Sequence, residues 1–487
     1  MAVMPAARDG RTSRTLPETA IASSWSASRS RRVRYPGARE RRHASDASQA
    51  RTSGGVPGLY APRNGYACWL TSLRYVGHDL HRPTSLSGRG TMTMSSSAAV
   101  PQLETPDAEL VGRATGLVPV IREYATQGSE ARRVAPEVIK ALEDADVFRL
   151  LVPHRYGGQG ATLRTAVEAV AEVARGDGST GWIAALMTVG TGFASTSSAQ
   201  AQEDIFGTNA KAKVCGVFSP GSKAERVDGG YRVSGRWPYA SGSFTADWGS
   251  LGIPIEGGEL ALALIPAEAW TIEPTWFVAG MQGTGSDTIV IEDHFVPDHR
   301  IQPVKDMFEG RYLTPHTDER MASMSFNAVA AAILVAPQIG LGRHALEITR
   351  AKLPLKPVAY TSYQEARLSP THQIGVAHAA TRLHLAELTL SRICLDLDRA
   401  ADERRLPDLE TRARIRNDTG VVAELVTDAI RTLLTANGAG SFAEVNVLNR
   451  IWRDSETAAR HALVTPEIGR EAYGRLLLGN EEPTIAL

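Results

Sequence analysis

The spacing of apolar residues changes twice along the chain and predicts three blocks of secondary structure. From about 107 to 199, apolar positions recur about every 3.6 residues, which is typical of amphipathic helices. From about 214 to 303, the apolar runs are short and are separated by glycine and proline, which favours mostly antiparallel strands. From about 321 the helical period returns in long segments. The pattern therefore predicts a helical domain, a β domain and a helical bundle, which is an α+β fold class.

The same pattern gives expected bounds for individual elements. In the first block Pro136 begins a helix, and another helix covers 163–175. Examples of expected strands are 215–218, 231–233, 260–265 and 288–291. The long C-terminal helices are expected at 321–353, 368–403, 408–436, 442–463 and 467–478. The predicted domains are an N-terminal helical domain at 104–211, a β domain at 212–305 and a C-terminal helical bundle at 306–487.

The amino-terminal residues 1–103 differ from the rest in composition and charge. The whole chain has 53 basic and 53 acidic residues, but residues 1–93 contain fifteen arginines, no lysine and only five acidic residues. The segment lacks an apolar period, so we expect 1–103 to be a disordered extension. Its aromatic residues are not interleaved with the arginines as a nucleic-acid stacking platform requires. We favour a working protein that begins at Met92 or Met94, with a transit peptide as the alternative.

Cysteine usage and hydropathy indicate a soluble cytoplasmic protein. Cys68, Cys215 and Cys394 are widely separated, which indicates a reducing compartment and gives neither a disulfide framework nor a CxxC metal site. The chain contains no apolar run of membrane-spanning length. We therefore expect no metal site, no membrane and no nucleic-acid partner.

Two glycine-rich stretches fit a relaxed dinucleotide-binding fingerprint but stand in the wrong context. They are 340–345 and 438–443. The fingerprint requires a strand before the glycines and a helix after them, whereas a helical pattern precedes both stretches. We therefore expect no nicotinamide site on this chain.

The most informative single stretch is 234–248, Ser-Gly-Arg-Trp-Pro-Tyr-Ala-Ser-Gly-Ser-Phe-Thr-Ala-Asp-Trp. Its composition predicts a short strand that enters a tight turn. The turn offers the flat ring of Tyr239 and the hydroxyl of Ser241 beside the flexible Gly242. A planar cofactor requires both an apolar surface and a polar group that fixes its orientation. A glycine-rich hairpin with buried aromatic residues is the alternative interpretation.

Four segments, in order, resemble the acyl-CoA dehydrogenase fold family. The segments are 135–160 with its Pro-x-x-Tyr-Gly-Gly turn, 234–248, 280–297, and 450–461 with its Arg-Asp pair. The resemblance covers about 106–480. It implies a flavin whose N5–O4 edge lies beside Ser241 and whose ring contacts Tyr239 and Gly242. It also implies that Gly438 and Gly440 approach the cofactor phosphate, and that Arg367 and Gln373 contact flavin across a subunit interface.

One departure from this family concerns the catalytic base. A dehydrogenase of this fold requires a carboxylate that removes the substrate α-proton. The usual position, eight residues after Asp454, is Ala462, and the alternative position near Ala330 has no carboxylate. Residues 321–345 contain no Asp or Glu. The sequence therefore lacks the base of an acyl-CoA dehydrogenase.

The residue found in this region is His461, and it changes the functional expectation. Three stretches resemble the oxygenase components of two-component flavin monooxygenases: Trp-Pro-Tyr-Ala-Ser-Gly, Gly-Thr-Gly-Ser and Ala-Ala-Arg-His. This resemblance implies a homotetramer that uses reduced FMN or FAD and molecular oxygen, and a separate NAD(P)H-dependent flavin reductase. It implies hydroxylation through a C4a-hydroperoxyflavin, with Ser241 ordering the N5–H. His461 is expected to bind the distal peroxide or the substrate and to titrate near neutrality.

The substrate and two rival functions stay open at this point. Phenol hydroxylases of this type often carry a histidine shortly after their Gly-Ser-x-x-Trp segment, but 182–199 contains none. A small organic substrate is expected, aromatic or polyketide-like, with amino sugars and sulfur heterocycles as further options. The rivals are an acyl-CoA dehydrogenase or oxidase and a non-catalytic binding paralogue. Asp454 is expected to be structural, because seven helical residues separate it from His461 by about 10 Å.

Overall fold

A computed structural model describes residues 105–219, 221–480, 485 and 487. The disordered extension predicted for 1–103 lies outside these residues. The described part has the predicted order of helices, sheet and helices, in an α+β fold.

The N-terminal block consists of helices around the fully buried helix α5. The helices are α1 Ala108–Gly116, α2 Val118–Ala131, α3 Pro136–Asp144, α4 Leu163–Gly176, α5 Gly178–Ala194 and α6 Ala199–Gln202. Pro136 is the first residue of α3, as predicted, since a missing N–H is harmless there. The Asp177 side chain accepts the N–H of Thr180 and caps the start of α5. Almost every residue of α5 is buried, so this helix contacts neighbours on all sides.

The middle block contains two four-stranded sheets. The strands are β1 Val214–Val217, β2 Ser222–Val227, β3 Gly230–Trp237, β4 Trp248–Pro254, β5 Leu260–Pro266, β6 Thr271–Glu273, β7 Thr288–Pro297 and β8 Ile301–Pro303. One sheet has the order β1-β4-β5-β8 and the other β2-β3-β7-β6. Only the β1–β4 pair among these is parallel, so the expectation of a mostly antiparallel domain is confirmed. The buried Trp237 donates its indole N–H to the Gly252 carbonyl oxygen at 2.8 Å and fixes the end of β3.

The C-terminal block is a bundle of long helices. They are α7 Val304–Phe308, α8 Phe326–Lys352, α9 Pro370–Asp402, α10 Leu409–Asn437, α11 Val447–Ala458 and α12 Pro466–Leu477. The glycines of 340–345 lie inside α8, where a Cβ on Gly340 would be 2.1 Å from the Ala171 carbonyl oxygen of α4. These glycines therefore allow two helices to pack closely. Helix α8 is long and apolar enough to cross a membrane, but 89% of its most apolar window is buried within the fold, as in a core helix.

Candidate active site

The turn between β3 and β4 holds Tyr239, Ser241 and Gly242 in a fixed backbone conformation. Each N–H from 240 to 243 donates to a carbonyl of the chain: to Asp287 at 3.0 Å, Tyr239 at 2.9 Å, Thr284 at 3.0 Å and Ala240 at 3.1 Å, respectively. Tyr239 has a left-handed backbone with φ of 65°. This conformation is costly for a non-glycine residue and is found most often at functional sites.

The Tyr239 ring is the accessible surface of this turn. The residue is 69% exposed. Its ring packs against that of Trp276 in an edge arrangement, with centroids 6.0 Å apart and the ring planes at 83° to each other. The Tyr239 ring by itself therefore offers a flat, accessible face at the edge of the β domain.

The Ser241 hydroxyl is buried and connects the turn to a second segment of the sequence. Its Oγ lies 2.6 Å from the Oγ of Ser286, which lies 2.6 Å from the Oγ1 of Thr284. Thr284 and Ser286 belong to the Gly-Thr-Gly-Ser stretch at 283–286 that contributed to the family resemblance. Two of the segments that resemble the family therefore meet at Ser241.

Asp454 holds this second segment in place. Its Oδ1 accepts the N–H of Met281 at 2.5 Å, and the carboxylate is buried at the start of helix α5. Burial and the charge of the neighbouring Asp177 raise the pKa of Asp454 well above its usual range. The Arg450 side chain, 3.6 Å from Asp177, partly offsets this repulsion. Asp454 thus binds Met281 rather than His461, as the helical rise predicted.

His461 lies just after α11 and is held as a neutral imidazole. Its Nδ1 accepts the N–H of Leu463 at 3.2 Å, and its ring meets the edge of Trp182 with centroids 5.4 Å apart. Burial, and secondly the charge of Arg416, lower the pKa of His461 to about 4. The expectation that His461 titrates near neutrality is therefore wrong. Since Nδ1 accepts, the single ring proton is on Nε2, and His461 is a hydrogen-bond donor at neutral pH.

Helix α5 brings Ser241 and His461 to one part of the molecule. Trp182 contacts His461, whereas Ile183 and Met187 border Gly242. These three α5 residues span about 8 Å of helix. The Ser241 turn and the His461 imidazole therefore lie against neighbouring parts of the same buried helix.

The remaining residues predicted from the sequence lie together in the C-terminal block. They are Arg367, Gln373, Gly438 and Gly440. The Lys356 Nζ donates to the Asn437 carbonyl oxygen at 2.8 Å, directly before Gly438, and the Lys356 carbonyl oxygen accepts the N–H of Ala366 at 2.8 Å. Arg367 follows Ala366, pairs with Glu365, and accepts the Gln373 side-chain N–H on its carbonyl oxygen at 3.0 Å. Lys356 therefore joins the segment of Gly438 and Gly440 to that of Arg367 and Gln373.

This cluster, which we name the Lys356 cluster, is open to a ligand at its glycines. Gly438 has φ of 72°, and a Cβ on Gly440 would meet no atom within 4 Å. Sequence reasoning missed Lys356, because nothing in its local sequence distinguishes it from a solvated lysine. An ammonium group beside exposed backbone is a suitable environment for a phosphate.

A cleft of about 620 Å³ lies along the second half of α5. Its apolar wall includes Leu186, Val189, Phe193, Phe218, Leu262 and Phe326. Three of these rings meet edge to face around Phe326, with centroids 4.6 and 5.0 Å from those of Phe193 and Phe218. Its polar groups include Ser197, His299 and Gln302. No local sequence signal marks these polar residues, which separate elements bring together.

The described cysteines and acidic residues form no metal centre. Within 105–219 and 221–480, no group of three or more His, Cys, Asp or Glu side chains is arranged to hold a metal ion. Cys215 and Cys394 are free and buried, and burial raises the pKa of both thiols. Both cysteines therefore belong to the core.

Replacing Gly242 with alanine is expected to lower stability by about 1–2 kcal/mol, because its φ of 77° is unfavourable for residues with a Cβ. The new Cβ would also lie 2.9 Å from Met187 Cε and displace the turn from α5. Gly229→Ala is the matched control, with φ of 74° and no atom within 4 Å. Thermal unfolding should show a loss in both variants, larger in Gly242→Ala because of the added contact with Met187, whereas only Gly242→Ala should weaken flavin binding. Equal flavin binding by the two variants would contradict this account of the turn.

Comparison with known proteins identifies the family of this architecture. The profiles of the acyl-CoA dehydrogenase N-terminal and C-terminal domains match residues 114–206 and 332–466. The oxygenase subunit HsaA of a flavin-dependent monooxygenase from Rhodococcus jostii is 31% identical over 375 residues, which are 74% of this chain and 96% of that protein. The oxygenase component of an FADH2-dependent resorcinol hydroxylase from Rhizobium is 31% identical over 411 residues, or 80% and 99%.

A solved structure agrees with these relatives. XiaF from Streptomyces, in complex with FADH2 and glycerol, has a TM-score of 0.74 and 32% identity, and the match covers 78% of this chain and 97% of that one. The chain therefore belongs to the acyl-CoA dehydrogenase fold family, among the oxygenase components of two-component flavin-dependent monooxygenases. It is an oxidoreductase, and the expectation drawn from the resemblance is confirmed.

Proposed function

We propose that this chain hydroxylates a small aromatic or polyketide-like substrate with reduced FMN or FAD and molecular oxygen. The observation that carries the proposal is that the fixed Ser241 turn and the neutral imidazole of His461 both lie against helix α5, within about 8 Å along its axis. Asp454 already accepts the Met281 N–H. Glu456, which is closer to His461 in the sequence, pairs with Arg431 at 2.7 Å. Neither carboxylate is therefore placed as a dehydrogenase base. This arrangement favours an oxygenase over the dehydrogenase and binding-protein alternatives.

The described residues fit a flavin. In this proposal Ser241 lies beside the N5–O4 edge, and Tyr239 and Gly242 border the ring. The Lys356 cluster, with Arg367, Gln373, Gly438 and Gly440, holds the phosphate end and contacts flavin from a neighbouring subunit. These residues form two groups, and each group is held together by its own contacts. This division supports a flavin site to which two subunits of a homotetramer each contribute one group.

When bound, the reduced flavin supplies two electrons to molecular oxygen and carries the activated oxygen atom. One oxygen atom enters a C–H bond of the substrate, and the other leaves as water with the two hydrogens of the reduced flavin. A separate NAD(P)H-dependent reductase would supply the reduced flavin. Ser241 would hold the N5 proton, and the Nε2–H of His461 would donate to the oxygen or to the substrate. A soluble cytoplasmic location, where NAD(P)H is available, belongs to the same proposal.

The cleft along α5 suits an aromatic substrate. Its Phe193, Phe218 and Phe326 rings offer edges and faces for stacking. His299 at the cleft is oriented by its 2.8 Å contact between Nε2 and the Asp204 carboxylate. The name of the resorcinol hydroxylase relative also indicates an aromatic substrate.

The proposal predicts that the purified chain consumes no NADH by itself. Addition of a flavin reductase with FMN or FAD should start oxygen consumption in proportion to reduced flavin. Oxygen uptake and NADH absorbance measured with each component omitted in turn give the test. NADH oxidation by the chain and flavin without a reductase would contradict the two-component assignment.

A further inference from the structure

The Ser241 hydroxyl is the first of three buried hydroxyls in a chain that ends at a backbone carbonyl. Ser241 Oγ is 2.6 Å from Ser286 Oγ, and Ser286 Oγ is 2.6 Å from Thr284 Oγ1. Thr284 Oγ1 is 2.8 Å from the Met281 carbonyl oxygen. The three side chains are 1–5% exposed, so their hydroxyl groups bond to one another and to the chain.

The direction of every hydrogen bond in this hydroxyl chain follows from the Met281 carbonyl oxygen at its end. Each of the three O···O contacts requires one proton, and the three hydroxyls supply three. A carbonyl oxygen only accepts, so Thr284 donates its proton to Met281. Thr284 must then accept from Ser286, and Ser286 must accept from Ser241. The Ser241 proton is therefore directed at Ser286, and its oxygen offers only lone pairs to a ligand.

The backbone N–H groups nearest Ser241 are already used. The N–H groups from 240 to 243 all donate to carbonyl oxygens of the chain at 2.9–3.1 Å. At Ser241 itself, the turn therefore presents an acceptor to a ligand.

We propose that Thr284 and Ser286 are positioning residues that fix Ser241 as a hydrogen-bond acceptor and so select reduced flavin over oxidised flavin. This inference rests on the proposed function, which places the flavin N5 edge at Ser241. Reduced flavin carries an N–H at N5 that Ser241 accepts. Oxidised flavin has a lone pair at N5, so two acceptors would face each other. The orientation of one hydroxyl proton thus discriminates between the two redox states.

The test is the ratio of two dissociation constants. Oxidised and dithionite-reduced FMN and FAD are titrated anaerobically into the wild type, Thr284→Val and Ser286→Ala. In Thr284→Val, Ser286 is free to donate to Ser241; in Ser286→Ala, Ser241 has lost its acceptor. Either change frees the Ser241 proton for oxidised N5. The ratio of the oxidised to the reduced dissociation constant should fall about tenfold, which lowers the two-electron midpoint potential of bound flavin by about 30 mV.

Two control variants separate this effect from a general loss of structure. Thr284→Ser keeps the hydroxyl and should keep the wild-type ratio. Thr288→Val removes another buried threonine hydroxyl, whose 2.8 Å partner is Thr275 Oγ1 outside the chain of hydroxyls, and should also keep the ratio. If Thr284→Val and Ser286→Ala change both affinities equally, the inference is wrong although the proposed function stands. If the wild type binds neither redox form, both fail.

Discussion

Replacing Ser241 with alanine is expected to raise the rate of hydrogen peroxide release from the oxygenated enzyme by roughly five- to 150-fold. The range corresponds to the loss of one hydrogen bond to a buried partner, about 1–3 kcal/mol. Without the Ser241 acceptor, the N5 proton would no longer be held, and activated oxygen would leave sooner as peroxide. The affinity for reduced flavin should change far less than the rate of peroxide release, because the ring and phosphate contacts remain.

The rate constant of peroxide release without substrate, measured with a peroxidase assay in parallel with thermal unfolding, tests this prediction. Ser243→Ala is the matched control. Ser243 is also buried in the turn, but its Oγ has no hydrogen-bond partner among the described atoms. An unchanged rate of peroxide release in Ser241→Ala, together with a lower melting temperature, would show that the role of Ser241 is structural.

His461→Asn is expected to lower product formation by about a hundredfold while the chain stays folded. The asparagine Oδ1 takes the place of Nδ1 and still accepts the Leu463 N–H, but the Nε2–H donor is lost. A positioned proton donor typically contributes at least this much to a rate. His461→Gln brings an amide N–H close to the Nε2 position and should recover part of the activity. Equal activity of the wild type and His461→Asn would show that His461 takes no part in the reaction.

The pH dependence of stability provides a second test of His461. Its pKa is lowered from 6.5 to about 4 in the folded chain, so the unfolded chain binds the proton more tightly. The free energy of unfolding should therefore fall as the pH decreases from about 6.5 to 4, with up to about 3 kcal/mol from this residue. Denaturant unfolding of His461→Asn should show a shallower decrease. The wild-type rate should show no His461 titration between about pH 6 and pH 8.

Much of the fold follows from local sequence. Pro136 marks the first residue of α3, and the glycine- and proline-divided runs around 234–248 mark β3, its turn and β4. These signals depend on backbone preferences of single residues, which act the same way in any context. The C-terminal helices likewise lie within a few residues of their expected bounds, except that α11 is shorter, Val447–Ala458 against 442–463. A short 3-10 turn at Ala439–Phe442 precedes it instead.

The candidate site depends on contacts that local sequence does not contain. Ser286, which orients Ser241, is 45 residues away in the chain and meets it only because β3 pairs with β7. The low pKa of His461 requires its burial and the approach of Arg416 from α10. Lys356 joins the two C-terminal segments by donating from Nζ to the Asn437 carbonyl oxygen and accepting the Ala366 N–H on its own carbonyl oxygen, and neither bond has a signature in the local sequence. The tertiary structure, rather than any motif, gives these residues their chemistry.

The most direct test of an oxygenase is the order of events after the enzyme with bound reduced flavin is mixed with oxygen in a stopped-flow instrument. Dissolved oxygen and the absorbance of oxidised flavin are followed together. The account predicts two phases: oxygen is consumed first, and oxidised flavin returns later, with peroxide released only in the second phase when no substrate is present. A single phase, in which oxygen loss, flavin reoxidation and peroxide release coincide as for free reduced flavin, would contradict it.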